Sequence, residues 1–212
     1  MKHSSDFSRR KFLQTSALFA IGSGGFLPLS AMSNNTPPPD LINVVGPKEG
    51  YTPQIGTLVS MLNWMRNTIL RPVQGMSTKD LDFLLDDNAN SIGAMLLHLA
   101  ATERFYQIHT FEGKNWGDWS KEDDKAWSTA MGLGDEGRAK IKGKPLDFYL
   151  EKLSSVREHT LKEFAKRDDA WLLAVDEDWY WGPTNNYCKW FHVCEHESNH
   201  NGQIKMVRSR IS

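Results

Sequence analysis

Four stretches of this sequence repeat apolar side chains every three or four residues, and that spacing confines the fold to packed helices. The first, "YTPQIGTLVSMLNWMRNTIL", carries Ile55, Leu58, Val59, Leu62, Met65 and Ile69 on one stripe, with Thr52 as N-cap and Pro53 at the first helical position. The second, "SIGAMLLHLAATERFYQIHTFEG", opens at Ser91 and closes at Gly113. The third follows Pro145 and is striped by Leu146, Leu150, Leu153, Val156, Thr160 and Phe164. The fourth, "YCKWFHVCEHESNHNGQIKMVRSRI", reaches the end of the sequence. Four long amphipathic helices predict an all-α domain over residues 51–212, built as a four-helix bundle. Two connections are long for a bundle. One is charged and Gly-rich with room for a short helix; the other, "DDAWLLAVDEDWYWGPTNN", has the character of an extended excursion. Long loops are where pockets and lids sit.

Residues 1–33 read as an export signal rather than as part of the fold. "SRRKFLQ" places Arg9 and Arg10 before an apolar run too short and too rich in Gly and Ser to span a bilayer, and small residues follow at Ala31 and Ser33. The segment resembles a twin-arginine signal, with Gln14 standing where Lys is usual. Recognition by the twin-arginine export machinery and a periplasmic or otherwise exported location are expected. Residues 34–50 read as a Pro-rich linker. The formal net charge is −1, and removing a leader that holds Lys2, Arg9, Arg10, Lys11 and only Asp6 makes it more negative. With no basic stripe or cluster, nucleic acid is excluded as a partner. Cys188 and Cys194 stand six apart on one helix, about 120° around it, so a disulfide between them requires a broken helix.

The chemistry concentrates in "WFHVCEHESNHNGQI". On a helix, His192, His196 and His200 lie within about 40° of a common face, with Gln203 on the same side. Two imidazoles at i and i+4 converge on one ion while the helix supplies the rigidity. His196-Glu197-x-x-His200 also spells the zinc-protease pattern, in which the Glu is general base. That reading fails downstream of His200, where "NGQIKMVRSRIS" offers no His, Asp, Glu or Cys as third ligand. A third ligand has to come from upstream. His98 is the best candidate, interrupting an apolar stretch with Met95, Leu99 and Thr102 on its side of the helix. A core histidine satisfied by hydrogen bonds is the alternative. His159 lies off its helix's apolar stripe, and His109 is about 16 Å along the helix from His98.

The pairing of "SIGAMLLHLAATE" with "FHVCEHESNHNGQI" resembles the DinB/YfiT-like superfamily of metal-binding four-helix bundles. That family places a His in the second helix and His-x-x-x-His-x-Gly-Gln near the end of the bundle. The resemblance implies His98, His196 and His200 as ligands of a divalent metal ion. Zinc suits such a site first, with nickel or iron as alternatives. Gly202 and Gln203 match the tail of the motif, and Asn201 departs from the His or Arg that often precedes the Gly. His192 resembles a companion that lines the pocket, as does Gln203. The resemblance further implies transfer chemistry on a low-molecular-weight thiol, and dimerisation rests on the resemblance alone.

Three imidazoles leave a coordination position open, as catalytic sites do and structural sites do not. That position suits a thiolate in an S-transferase, or a water in a hydrolase with Glu197 as its base. Glu197 as an ordinary solvated helix residue is the other reading of that position. A periplasmic protein that binds metal without catalysis needs the same ligands and no substrate pocket. Trp116, Trp119 and Trp127 in the first loop, and Trp171, Trp179, Tyr180 and Trp181 in the second, are either core or pocket. Any that line the mouth of the site favour an apolar or planar substrate.

Overall fold

A computed structural model describes residues 41–115 and 117–211. The export segment, residues 34–40 of the linker, and Trp116 lie outside the described residues. Eight helices and one short strand pair occur among the described residues: α1 (Pro53–Val73), α2 (Thr78–Leu81), α3 (Ile92–Thr110), α4 (Lys121–Gly132), α5 (Gly134–Lys140), α6 (Leu146–Phe164), α7 (Asp169–Leu173), β1 (Val175–Asp176), β2 (Thr184–Asn185) and α8 (Asn186–Arg208). The four long ones, α1, α3, α6 and α8, are the four periodic stretches of the sequence, and the fold is all-α. The Gly-rich loop holds two short helices rather than one, α4 and α5. The second loop combines α7 with the antiparallel pair Val175↔Asn185 and Asp176↔Thr184.

Capping follows the sequence at Ser91, whose hydroxyl accepts from the Ala94 amide at 3.2 Å, and departs from it at Thr52. The Thr52 side chain does not cap α1. Asp169, from the start of α7, supplies a carboxylate oxygen that accepts from the Gln54 amide at 3.1 Å and the Ile55 amide at 3.2 Å, and from the Thr52 hydroxyl. A carboxylate meets the positive end of a helix here, delivered from more than a hundred residues away. Residues 41–50 also touch the bundle: the Gly46 amide donates to Ser60 Oγ at 3.1 Å. Gly56 admits this strap, because a Cβ there falls 2.4 Å from the Lys48 amide nitrogen.

The central helix is α3, buried on nearly every side and packed against α6 and α8, while α1 packs on α8. Its approach to α6 depends on Gly93, where a Cβ falls 2.7 Å from the Tyr149 hydroxyl. The core has two apolar halves. One holds Ile69, Met95, Leu99, Tyr149, Leu153 and Ile204; the other holds Leu58, Leu62, Tyr106, Phe164, Trp190 and Val193.

Between the halves lies a charged layer with one member from each long helix: Arg66 on α1, Glu103 on α3, Arg157 on α6 and Glu197 on α8. All four are at least 93% buried, with Arg66 and Arg157 7% exposed, Glu197 1% and Glu103 0%. Arg66 bridges Glu103 (2.7 Å) and Glu197 (2.6 Å); Arg157 bridges the same two carboxylates at 2.8 and 2.9 Å. Thr160 donates to Glu103 at 2.7 Å, and Arg66 to the Leu153 carbonyl at 2.8 Å. Burial alone raises the Glu103 carboxyl, but the guanidinium groups of Arg157 and Arg66 outweigh it and hold that carboxyl down at about 2.

Removing one member strands buried charge. Glu103→Ala is expected to cost about 3–5 kcal/mol in denaturant unfolding, whereas a typical core truncation costs about 2–5 without the accompanying charge imbalance. Because the folded-state pKa of Glu103 lies below its unfolded value, its contribution is complete above about pH 4.5 and is lost as pH falls toward about 2. Stability measured against pH should therefore fall through that window in the parent and fall less steeply in Glu103→Ala.

Candidate metal centre

His98 sits in the middle of α3, one turn after Ala94 and facing α8. His196 and His200 sit one turn apart on α8, where the Asn185 cap (its side chain accepts from the Cys188 amide at 2.8 Å) starts the helix in the phase that turns them inward. His98 and His200 are 7% exposed and His196 is half-buried. One ring nitrogen from each of the three lies within 4.8 Å of the others, and His98 Nε2 approaches His196 Nε2 to 2.8 Å. Imidazoles bound to one tetrahedral ion at about 2.0–2.1 Å keep their nitrogens about 3.3 Å apart, so modest side-chain movement brings this set onto a metal.

The far side of His98 fixes its tautomer. Nδ1 donates to the carbonyl of Ala130, at the end of α4, over 2.9 Å, leaving the Nε2 lone pair toward the cluster. A backbone carbonyl behind a ligating imidazole is a common support of metal sites. Thr102, one turn along α3, places its hydroxyl 3.5 Å from His196 Nε2. All three rings favour their neutral form. Burial lowers His98, with the Ala130 and Met131 backbone partly opposing it. Burial, then the proximity of His200, His98 and His192, takes His196 down to about 3; burial and His98 take His200 to about 4. Neutral imidazoles are the form that ligates metal. The donor set, its protonation and its support fit a divalent ion, and the cluster can hold one.

The residues around the cluster divide into mouth and anchor. His192 precedes His196 by one turn, with ring centroids 5.6 Å apart, and its Nδ1 pairs with the Tyr106 hydroxyl at 2.7 Å. Its other face meets Trp181 edge-on at 5.1 Å. Gln203 is exposed, three residues beyond His200 on α8. Cys188 is exposed and Cys194 buried, both free thiols outside the cluster. His109 is spent on the Lys114 carbonyl at 2.6 Å, and His159 is exposed.

Glu197 is not a solvated helix residue: it is 1% exposed, and its Oε1 accepts from Arg66 Nε at 3.1 Å, Arg66 Nη2 at 2.6 Å and Arg157 Nη2 at 2.9 Å, while its Oε2 is buried without a hydrogen-bond partner. A carboxylate paired with two guanidinium groups in the core is a structural anchor. Sequence reasoning placed Thr102 on the His98 side of the helix without giving it a part, and missed Tyr106 and Ala130. Thr102 and Tyr106 follow His98 at four and eight residues, a helical spacing that places them on its side; nothing in the sequence points to the Ala130 carbonyl.

Glu197→Gln keeps the shape and removes the charge. It is expected to lower the thermal midpoint by roughly 6–12 °C, as a loss of about 3 kcal/mol does in a domain of this size. Differential scanning calorimetry with and without added zinc decides this: the loss should appear in both, whereas a residue serving only as a base leaves the midpoint unchanged.

Residues 57–212 match the sequence model of the family described as mycothiol-S-transferase. Among solved structures, the chain is similar to one titled as the conserved protein of locus from Enterococcus faecalis, at 14% identity and a TM-score of 0.55, covering 71% of this chain and 92% of that one. At that identity the likeness shows the fold alone. No curated protein matches.

Proposed function

The chain belongs to the mycothiol-S-transferase family, and on that premise we propose that it transfers a small thiol to an electrophilic carbon at a divalent metal, zinc first, held by His98, His196 and His200. The observation that carries the reading is the convergence of three neutral imidazole nitrogens within 4.8 Å, with three donors in the cluster among the described residues, which leaves a position for substrate. A divalent ion in that place lowers the pKa of a bound thiol and keeps its sulfur nucleophilic near neutral pH.

The remaining work belongs to the chain's own residues. Ala130 holds the His98 ring in the ligating tautomer. The Arg66–Glu103–Arg157–Glu197 layer fixes α3 and α8 side by side. His192 and Trp181 line the mouth beside His196. The sulfur lone pair forms the new carbon–sulfur bond, the leaving group departs with the old bonding pair, and the thiol proton passes to solvent. Hydrolysis with Glu197 as base is disfavoured by its two arginine partners. Export is part of the same proposal, supported by the Arg9–Arg10 signal pattern. Replacing both arginines by lysine is expected to keep the protein in the cytoplasm, read by cell fractionation.

Elemental analysis of the purified protein should find one equivalent of divalent metal, falling at least tenfold in His98→Ala and staying near one in His192→Ala. Mycothiol consumption with an alkyl chloride should follow the metal content. Metal retained in His98→Ala overturns the ligand set; full metal with no thiol consumption leaves a metal-binding protein without this activity.

A further inference from the structure

The loop between α7 and α8 is built as a rigid display. Its two strands pair at Val175↔Asn185 and Asp176↔Thr184. The Lys189 ammonium, 4% exposed on α8, reaches Asp176 at 2.6 Å and lies 4.2 Å from the Trp179 ring. Trp179 is buried against Tyr106 and His109, and Gly182, at φ +96, turns the chain so that its amide donates to the Trp179 carbonyl at 2.7 Å. A charge pair, a cation–π contact and a buried indole thus hold a stretch whose next two side chains are left in water: Tyr180 is 60% exposed and Trp181 42%. Large aromatic faces held in solvent on an anchored loop mark a binding surface.

These faces stand beside the metal centre. Trp181 contacts Tyr180 at 5.1 Å on one side and His192 at 5.1 Å on the other, and His192 in turn contacts His196 at 5.6 Å. One imidazole separates the indole from a metal-ligating ring. The loop's charges are Asp176, Glu177 and Asp178, and Glu195 Oε2 stands 4.0 Å from His192 Nε2, while the nearby cation, Lys189, is already paired with Asp176. The surface is aromatic and its surroundings are acidic, which turns away carboxylates and other anions.

We propose that Trp181, with Tyr180 and His192, is the acceptor platform of the enzyme, selecting an uncharged, planar, aromatic electrophile and laying it with its reactive carbon toward the histidine cluster. The chemistry rests on the thiol-transfer reading; the binding does not. With p-nitrobenzyl chloride as acceptor, the thiolate sulfur bonds to the benzylic carbon, chloride leaves with the carbon–chlorine electron pair, and the thiol proton goes to buffer.

The test uses the metal-loaded protein, Trp181→Ala, Trp181→Phe, and Trp64→Ala as a control at an exposed indole on α1. Isothermal titration with unreactive p-nitrobenzyl alcohol should show a dissociation constant raised about tenfold in Trp181→Ala, less in Trp181→Phe, and unchanged in Trp64→Ala, since a lost ring-on-ring contact is worth about a factor of ten. Metal content should be equal in all four. With mycothiol, KM for p-nitrobenzyl chloride should rise about tenfold in Trp181→Ala with kcat within about twofold, while turnover of chloroacetamide stays within about twofold. Equal binding of the alcohol by parent and Trp181→Ala overturns the platform, as does an equal loss for chloroacetamide. If the parent turns over neither chloride, the transferase reading fails and the titration alone decides the platform.

Discussion

The layer of Arg66, Glu103, Arg157 and Glu197 sets the register of everything else. Apolar packing between helices tolerates sliding by a fraction of a turn, because leucine and isoleucine ridges offer several near-equivalent nestings. Four buried charges do not: a displacement that breaks one pair leaves an ion in the core without compensation. Each long helix contributes one member, so the layer ties all four at one height, with an apolar half above and below it. His98 lies five residues before Glu103 on α3, and His196 and His200 flank Glu197 on α8. Register fixed at the layer is therefore register fixed at the histidines. The contribution of the layer is placement more than net stability, since burying the ions offsets much of their attraction.

The loops complete what the bundle begins. Without α4 the His98 ring has no carbonyl behind it, and its tautomer is free to change. Without the α7–α8 loop, His192 faces open water instead of Trp181. The two connections that the sequence marks as unusually long therefore supply the support on one side of the cluster and the mouth on the other. The bundle contributes the parts that need precision of position, and the loops those that need shape.

The helical periods were legible because helix burial repeats in the sequence itself, and the His-x-x-x-His pair because both ligands share one helix face. His98 was legible as a candidate from its place in an apolar stretch, and the resemblance pointed to it as a ligand, since a single histidine on an apolar face carries no spacing signal. The charged layer was not legible at all. Arg66, Glu103, Arg157 and Glu197 are spread over four helices, and each alone reads as a surface residue; their burial is a property of the assembled bundle. The capping of α1 by Asp169 has the same character. Thr52 and Pro53 fit a local helix start, and the actual acceptor comes from α7, beyond any local rule.

Glu197 shows how the meaning of a motif depends on its neighbours rather than on its spelling. His196-Glu197-x-x-His200 has the spacing of a zinc-protease helix, and the helical phase of the glutamate relative to the two histidines is the same in both. What differs is the company: here the carboxylate meets Arg66 and Arg157 in the core. A carboxylate oxygen held by two guanidinium groups in the core ties helices together, a part that the spelling of the motif does not show. The three imidazoles face one another while the Glu197 carboxylate faces the arginines, so one stretch of α8 serves the histidine cluster and the charged layer at once.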